Sequence, residues 1–246
     1  MEVLKRRDTG SASQQAGSGS AGRVDLLVEA HERLLAHYDI DRWHWKPETP
    51  AFDVCAGAIL VQHTAWTNVE KAMDNLRSAG IGSFELIAAL EEDALAQLIR
   101  PSGTPAVKSR RLKAFANLVV GHGGFDGLFS CSPGELRRLL LATHGIGPET
   151  ADVICLYAAR HPVVVHDAYT ARLCRRLGTG PPGDSYEDWR AWLDSTLPVD
   201  LDFRFRNHAA IVVHCKETCR VKPRCDACPL HAMCAYGRGG ERPADS

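Results

Sequence analysis

Five of the nine cysteines crowd into one stretch near the C-terminus, HCKETCRVKPRCDACPLHAMC. They fall there as Cys219-x5-Cys225-x2-Cys228-x5-Cys234, with Cys215 four residues ahead. Thiolates are soft metal ligands, and the N-terminus lacks the apolar core of a secretory signal. Metal is therefore the expected chemistry, rather than a disulfide framework. Structural zinc is usually held by two tight Cys-x2-Cys pairs brought together across a long loop. Here one tight pair is flanked by two five-residue gaps in a single compact loop. A contiguous loop wrapped round a cubane suits that spacing better, so a [4Fe–4S] cluster is expected, with zinc as the alternative. Cys55, Cys131, Cys155 and Cys174 are scattered, and those in helical patterns read as small buried hydrophobes.

A second stretch, HGIGPETADVICLYAAR, sets Gly145 and Gly147 one residue apart at the mouth of a helix. It is neither a dinucleotide fingerprint, which needs a third glycine and a preceding strand, nor a P-loop, which needs Gly-Lys-Ser/Thr. The preceding SPGELRRLLLATHG carries Ser132 and Pro133 as start signals and leucines at helical spacing, so the local reading is helix, glycine hairpin, helix. Such a hairpin offers backbone N–H donors to an anion. Arg204, Arg206, Lys216, Arg220, Lys222 and Arg224 surround the cysteines, and a second basic run, RPSGTPAVKSRRLK, contains Lys108. Together these features favour DNA held by its phosphates, the alternative being a solvated face that offsets thiolate charge. Asp167 stands just before AYTAR as a good helix N-cap. His166 is not expected to pair with it, because neighbouring side chains of an extended segment point to opposite sides. RWHWKPETP offers Trp43, His44 and Trp45 in a proline-flanked loop, aromatic faces on which a base could stack.

The elements that must position these residues are helical. The chain has 246 residues, 45% hydrophobic and 24% charged, with a net charge of −1, so a nucleic-acid partner has to be held by local patches. No apolar run approaches a membrane span, and an intracellular, DNA-associated protein is expected. Residues 1–23, rich in Gly, Ser, Ala and Gln, are expected to be disordered. From Val24 onward the apolar spacing is mostly three and four, and the one β-rich run, PVVVHD, is too short to found a sheet. The fold class is all-α. GTGPPGD breaks the helical pattern between DAYTARLCRRLG and SYEDWRAWLDSTLP.

The order of hairpin, Asp167 and cysteine loop, from about Leu26 to Tyr236, resembles the endonuclease III branch of the helix-hairpin-helix (HhH-GPD) DNA glycosylases. The resemblance implies two helical lobes around a cleft: residues 44–161 as a helical-barrel lobe carrying the hairpin, and 24–43 plus 162–246 as a second lobe with the iron–sulfur loop at 215–236. It implies that Gly145, Ile146 and Gly147 grip phosphate, and the two basic runs add Lys108 and Arg224 as further DNA contacts. Gln62 matches the residue that fills the gap left by a flipped base, and Asp167 enters the active site. Strand-cutting members carry a lysine two residues after the second hairpin glycine, where this chain has Glu149, which cannot form a Schiff base. GIGPETAD is instead similar to the monofunctional members, particularly the 3-methyladenine glycosylases, and a Trp-and-Pro motif of that branch falls at Trp43–Trp45 with different spacing. The first cysteine gap is five where the family has six, and Cys219 rather than Cys215 keeps the loop nearest that pattern. The expected function is a monomeric, monofunctional N-glycosylase acting on double-stranded DNA with damaged, alkylated bases. A bifunctional glycosylase/lyase, a uracil or mismatch glycosylase and a non-catalytic DNA-binding protein are the alternatives. Asp167 would stabilise the sugar cation and orient water. Alkylated purines already carry positive charge and need little acid help, which is consistent with a sequence showing no evident general acid.

Overall fold

The computed structural model describes residues 18–240. Among the described residues twelve α-helices follow one another: α1 (Ser18–His37), α2 (Ala51–Leu60), α3 (Trp66–Ser78), α4 (Phe84–Ala89), α5 (Glu92–Leu98), α6 (Pro105–Gly121), α7 (Phe125–Phe129), α8 (Pro133–Leu141), α9 (Pro148–Val153), α10 (Ala168–Leu177), α11 (Tyr186–Thr196) and α12 (Leu201–Glu217). No strand occurs among the described residues, so the fold is all-α. Of the expected disordered tail, residues 1–17 lie outside the described ones, whereas Ser18–Arg23 form the first turns of α1.

Local signals account for most helix ends. Ser83, Ser132, Asp167, Ser185 and Asp200 each accept a hydrogen bond from a first-turn N–H, and Ser185 forms a reciprocal capping box with Asp188. Proline opens α6, α8 and α9, where its missing N–H costs nothing. Gly178 ends α10 at φ +87°, and the expected break follows.

The apolar faces close into two cores. One gathers α2, α3, α4, α6, α8 and α9 around Phe84, Phe115 and Ile154; the other gathers α1, α10, α11 and the cysteine loop around Leu34, Leu173 and Trp189. The extended segment at 162–167 stitches them together by its two-residue period. Val163 and Val165 enter the first core and Val164 the second. Helix α12 serves both, giving Phe205 and Ala209 to the first and Ala210 and Ile211 to the second. A polar bridge adds to the join. Asp152 on α9 is fully buried, accepting from Arg137 of α8 at 2.8 Å and from the Tyr186 hydroxyl of α11 at 2.9 Å. Helix α9 continues into a π-helical turn, Ile154–Ala158, where the N–H of Ala159 reaches the carbonyl of Ile154 at 3.0 Å and Tyr157 is thrown toward α12. Among the described residues no helix is long and apolar enough to cross a membrane.

Candidate active site

A cavity of about 650 Å³ opens between the two cores, and of the residues singled out in the sequence Trp43, His44, Trp45, Gln62, Glu149 and Asp167 line it, whereas Gly145, Ile146, Gly147, Lys108 and Arg224 do not. The loop before α2 lines it with Trp43, His44 and Trp45, the turn between α2 and α3 adds Gln62, and the start of α3 adds Trp66. The hairpin adds Glu149 and Thr150, Asp167 enters from the start of α10, and α12 contributes His208, Val212 and Lys216. The last three fall at i, i+4 and i+8, one stripe of a helix.

Asp167 is held at a buried helix start. Its Oδ1 accepts from the N–H of Thr170 at 2.7 Å and from the Thr170 hydroxyl at 2.7 Å, so it is the N-cap that the sequence indicates. Its Oδ2 faces Nε2 of His208 at 3.6 Å, and Nδ1 of that ring lies 2.8 Å from the Tyr157 hydroxyl, which donates to the Phe205 carbonyl. Burial works against ionisation here. The His208 ring facing Oδ2 and the two bonds from Thr170 outweigh it and hold the carboxyl below the usual carboxylate range. His166 points the other way, as its alternation requires, and stacks on Trp189 with ring centroids 4.9 Å apart.

Glu149 shares the cavity with Asp167 and has the opposite electrostatics. The residue is exposed at the cavity mouth, but the side that faces the cavity is crowded by protein, and that desolvation, helped by the charge of Asp167 and opposed by His208, raises its carboxyl to about 6. Trp43 and Trp45 are almost fully buried, and His44 stacks on Trp66 with centroids 3.5 Å apart, so the aromatic wall is already packed. Desolvation, with the nearby charges of Lys216 and His208, pushes the His44 imidazole down to about 3, which keeps it neutral. Lys216 stands 5.9 Å above the Trp43 ring, and desolvation on the cavity side lowers its ammonium below the usual lysine value.

The hairpin glycines do different work. Gly145 turns at φ +83°, and a Cβ there would lie 2.2 Å from Cγ of Arg111, so both backbone conformation and packing demand glycine. Gly145→Ala is therefore expected to destabilise the protein by about 1–2 kcal/mol, read as a lowered Tm. Ile146 is buried and anchors the turn, whereas Gly147 is exposed, in extended backbone, with no atom near the place of its Cβ. Gln62 is tied to this turn: its Nε2 donates to the Gly145 carbonyl at 3.2 Å and to the hydroxyl of Thr150 at 3.0 Å, while Arg111 donates to its Oε1.

Two of the expected surface cations are buried. Lys108, expected among the phosphate contacts, is 2% exposed, and its ammonium donates to the carbonyls of Leu60 at 2.7 Å and Ser102 at 2.6 Å. It fastens the end of α2 and cannot reach DNA from there. Arg204 is likewise buried, donating to the carbonyls of Pro198 and Pro162 and pairing with Asp194. Arg224 is exposed at the rim of the cysteine loop, and Lys216 belongs to the cavity. Trp66, His208, Tyr157 and the placement of Lys216 were not anticipated from sequence. The stripe His208, Val212, Lys216 was the one available signal.

Cys219, Cys225, Cys228 and Cys234 line a second, smaller cavity. All four are free thiols, and among the described residues no three side chains converge tightly enough to share one ion. Arg176, a buried cation, reaches Sγ of Cys219 at 3.3 Å, and the N–H of Gly237 lies 3.4 Å from Sγ of Cys234. A buried guanidinium and backbone donors aimed at sulfur are what a ring of anionic thiolates needs. Cys215 lies outside this cavity, buried with its sulfur 3.6 Å from the Tyr169 carbonyl. Four soft donors facing one space, with a guanidinium and an N–H aimed at their sulfurs, are the chemistry that a thiolate-bound metal group would require.

Comparison with known proteins gives a consistent picture. Residues 56–198 match the family described as "HhH-GPD superfamily base excision DNA repair protein". The chain is 37% identical over 215 residues to "Putative DNA repair glycosylase MJ1434" of Methanocaldococcus jannaschii, covering 86% of this chain and 97% of that one. Among solved structures it is similar to the 3-methyladenine DNA glycosylase MagIII of H. pylori bound to 1,N6-ethenoadenine, with a TM-score of 0.67 and 26% identity over 79% of this chain and 97% of that chain. It shares its fold with endonuclease III in a trapped covalent intermediate with DNA, with a TM-score of 0.70 and 20% identity over 89% of this chain and 97% of that chain.

Proposed function

The chain belongs to the HhH-GPD superfamily of base excision DNA repair proteins, glycosylases that hydrolyse N-glycosyl bonds, and from that premise we propose a monofunctional enzyme that removes alkylated bases and leaves an abasic site. The observation that carries the reading is the pairing of Asp167 with Glu149 in one aromatic-lined cavity. A carboxylate kept ionised beside the sugar stabilises the cation that develops as the base leaves, and it orients water toward C1′. A carboxyl at the hairpin position cannot attack C1′ as an amine would. Trp43, Trp45 and the His44–Trp66 stack line the cavity with a packed aromatic wall against which a base turned out of the duplex would rest.

The four cysteines of the second cavity would hold the [4Fe–4S] cluster. When bound, that group supplies metal–thiolate bonds that cross-link the loop. The loop sits beside the exposed Arg220, Lys222 and Arg224, so its order also orders those cations. Gly145, Ile146 and Gly147 present the hairpin backbone to phosphate. Because a Cβ at Gly147 meets nothing, Gly147→Asp is expected to leave Tm unchanged and to weaken duplex binding at least tenfold. That affinity should fall with salt even on undamaged DNA. Salt-independent binding would remove phosphate contact from the reading.

The wild-type protein, incubated with duplexes that each carry one alkylated base, should leave abasic strands that break only after alkali, with no adduct trapped by borohydride. A Glu149→Lys variant should gain weak trapping. One observation favours a second reading, a bifunctional glycosylase/lyase: the Lys216 amine lines the cavity, and desolvation on that side lowers its ammonium below the usual lysine value. Efficient wild-type trapping that disappears in Lys216→Ala would establish that reading in place of the first.

A further inference from the structure

We propose that Glu149 is the general acid of this site, and that its substrates therefore include alkylated purines that carry no charge of their own. The inference rests on the glycosylase reading above and adds a leaving group that has to be protonated. Geometry carries it. Glu149 and Asp167 open into one cavity from two different elements, the hairpin and the start of α10. Asp167 has both oxygens engaged, one by Thr170 and the other facing His208. Glu149 makes no side-chain hydrogen bond or ion pair among the described residues, so nothing there fixes its negative charge.

The ionisable groups around the cavity are Asp167 and Tyr169 from α10, His208 and Lys216 from α12, His44 from the loop before α2 and His63 from the turn after it. Of these, Asp167 discourages ionisation of Glu149 and His208 favours it, and with desolvation the balance holds the carboxyl at about 6. Two carboxyls whose surroundings divide them in this way take the roles of acid and base.

The step balances within the site. The C1′–N bond breaks with its electron pair going to the base, and the Glu149 proton moves to a ring nitrogen of that base, which leaves neutral. Water forms the new O–C1′ bond and gives its proton to the Asp167 carboxylate. Solvent then removes the proton from Asp167 and restores the one on Glu149. A purine that is already cationic leaves as a neutral molecule without the first proton transfer.

Single-turnover excision should be followed from about pH 5 to 8 on two duplexes, one carrying a single neutral 1,N6-ethenoadenine and one a single cationic N7-methylguanine. On the neutral base the wild-type rate is expected to fall roughly tenfold per pH unit above about 6, where Glu149 loses its proton, with a flatter profile on the cationic base. Glu149→Gln should lose about a hundredfold more on ethenoadenine than on N7-methylguanine. Release of N7-methylguanine without ethenoadenine, equal losses on both bases, or matching pH profiles would overturn the acid role and leave the glycosylase reading standing. Release of neither base overturns that reading and this inference with it. Unchanged Tm and lesion affinity in Glu149→Gln place the loss in chemistry, and if that variant does not fold, the wild-type pH contrast decides alone.

Discussion

Asp167→Asn is expected to bind lesion-bearing duplex about as well as wild type and to leave the base in place. The side chain has two separate duties, and the substitution divides them. An asparagine keeps the oxygen that accepts from the Thr170 N–H, and asparagine is as good an N-cap as aspartate, so α10 should start where it does now. The variant loses the charge on the oxygen that faces His208 and the cavity. Removing a preorganised charge from a developing cation costs on the order of 2–4 kcal/mol, roughly thirtyfold to a thousandfold in single-turnover rate. Tm, lesion affinity and excision rate measured together separate the two duties. Asp167→Ala should lose the cap as well, at about 1 kcal/mol of stability, so the comparison of Asn with Ala isolates chemistry from folding. Excision by the Asn variant at the wild-type rate would show that Asp167 is a cap alone, and the reaction would need another carboxylate.

The cysteine loop gives the second large effect. Purified protein is expected to be brown, with about four irons per chain. Cys225→Ser should lose that iron and lower stability by on the order of 3 kcal/mol, the loop-closure entropy that a cross-link of this span removes from the unfolded chain. Cys215→Ser is the informative control. Its sulfur lies outside the cavity shared by the other four, so the variant should stay brown. Loss of colour in Cys215→Ser with retention in Cys219→Ser would move the first ligand to Cys215. A colourless protein with one zinc would replace the cluster altogether. Because the loop contains no residue of the base cavity, the iron-free variants should lose solubility and duplex affinity before they lose the chemistry of whatever folded fraction remains.

Stretches whose signals act between near neighbours could be read without coordinates. The helical pattern, the break at GTGPPGD, the caps at Ser132 and Asp167 and the divergence of His166 from Asp167 each depend on residues a few positions apart. Hydrogen bonds at a helix end and the alternation of an extended chain are set locally, so composition and order suffice. The turn at Gly145 belongs to the same class, although the Arg111 side chain that also excludes a Cβ there does not. The fate of charge was of another kind. Lys108 and Arg204 look in sequence like members of basic surface runs. Each is buried because carbonyls brought from elsewhere in the chain, those of Leu60 and Ser102 or of Pro162 and Pro198, replace its water. The same holds for the cavity. Trp66, Glu149, Asp167, His208 and Lys216 come from four separate stretches, and only the packing of two cores on α12 and on the alternating segment at 162–167 makes them neighbours. Whether a carboxyl keeps or loses its proton depends on those distant partners, which is why Asp167 could be named from sequence while the contrasting state of Glu149 required the folded chain.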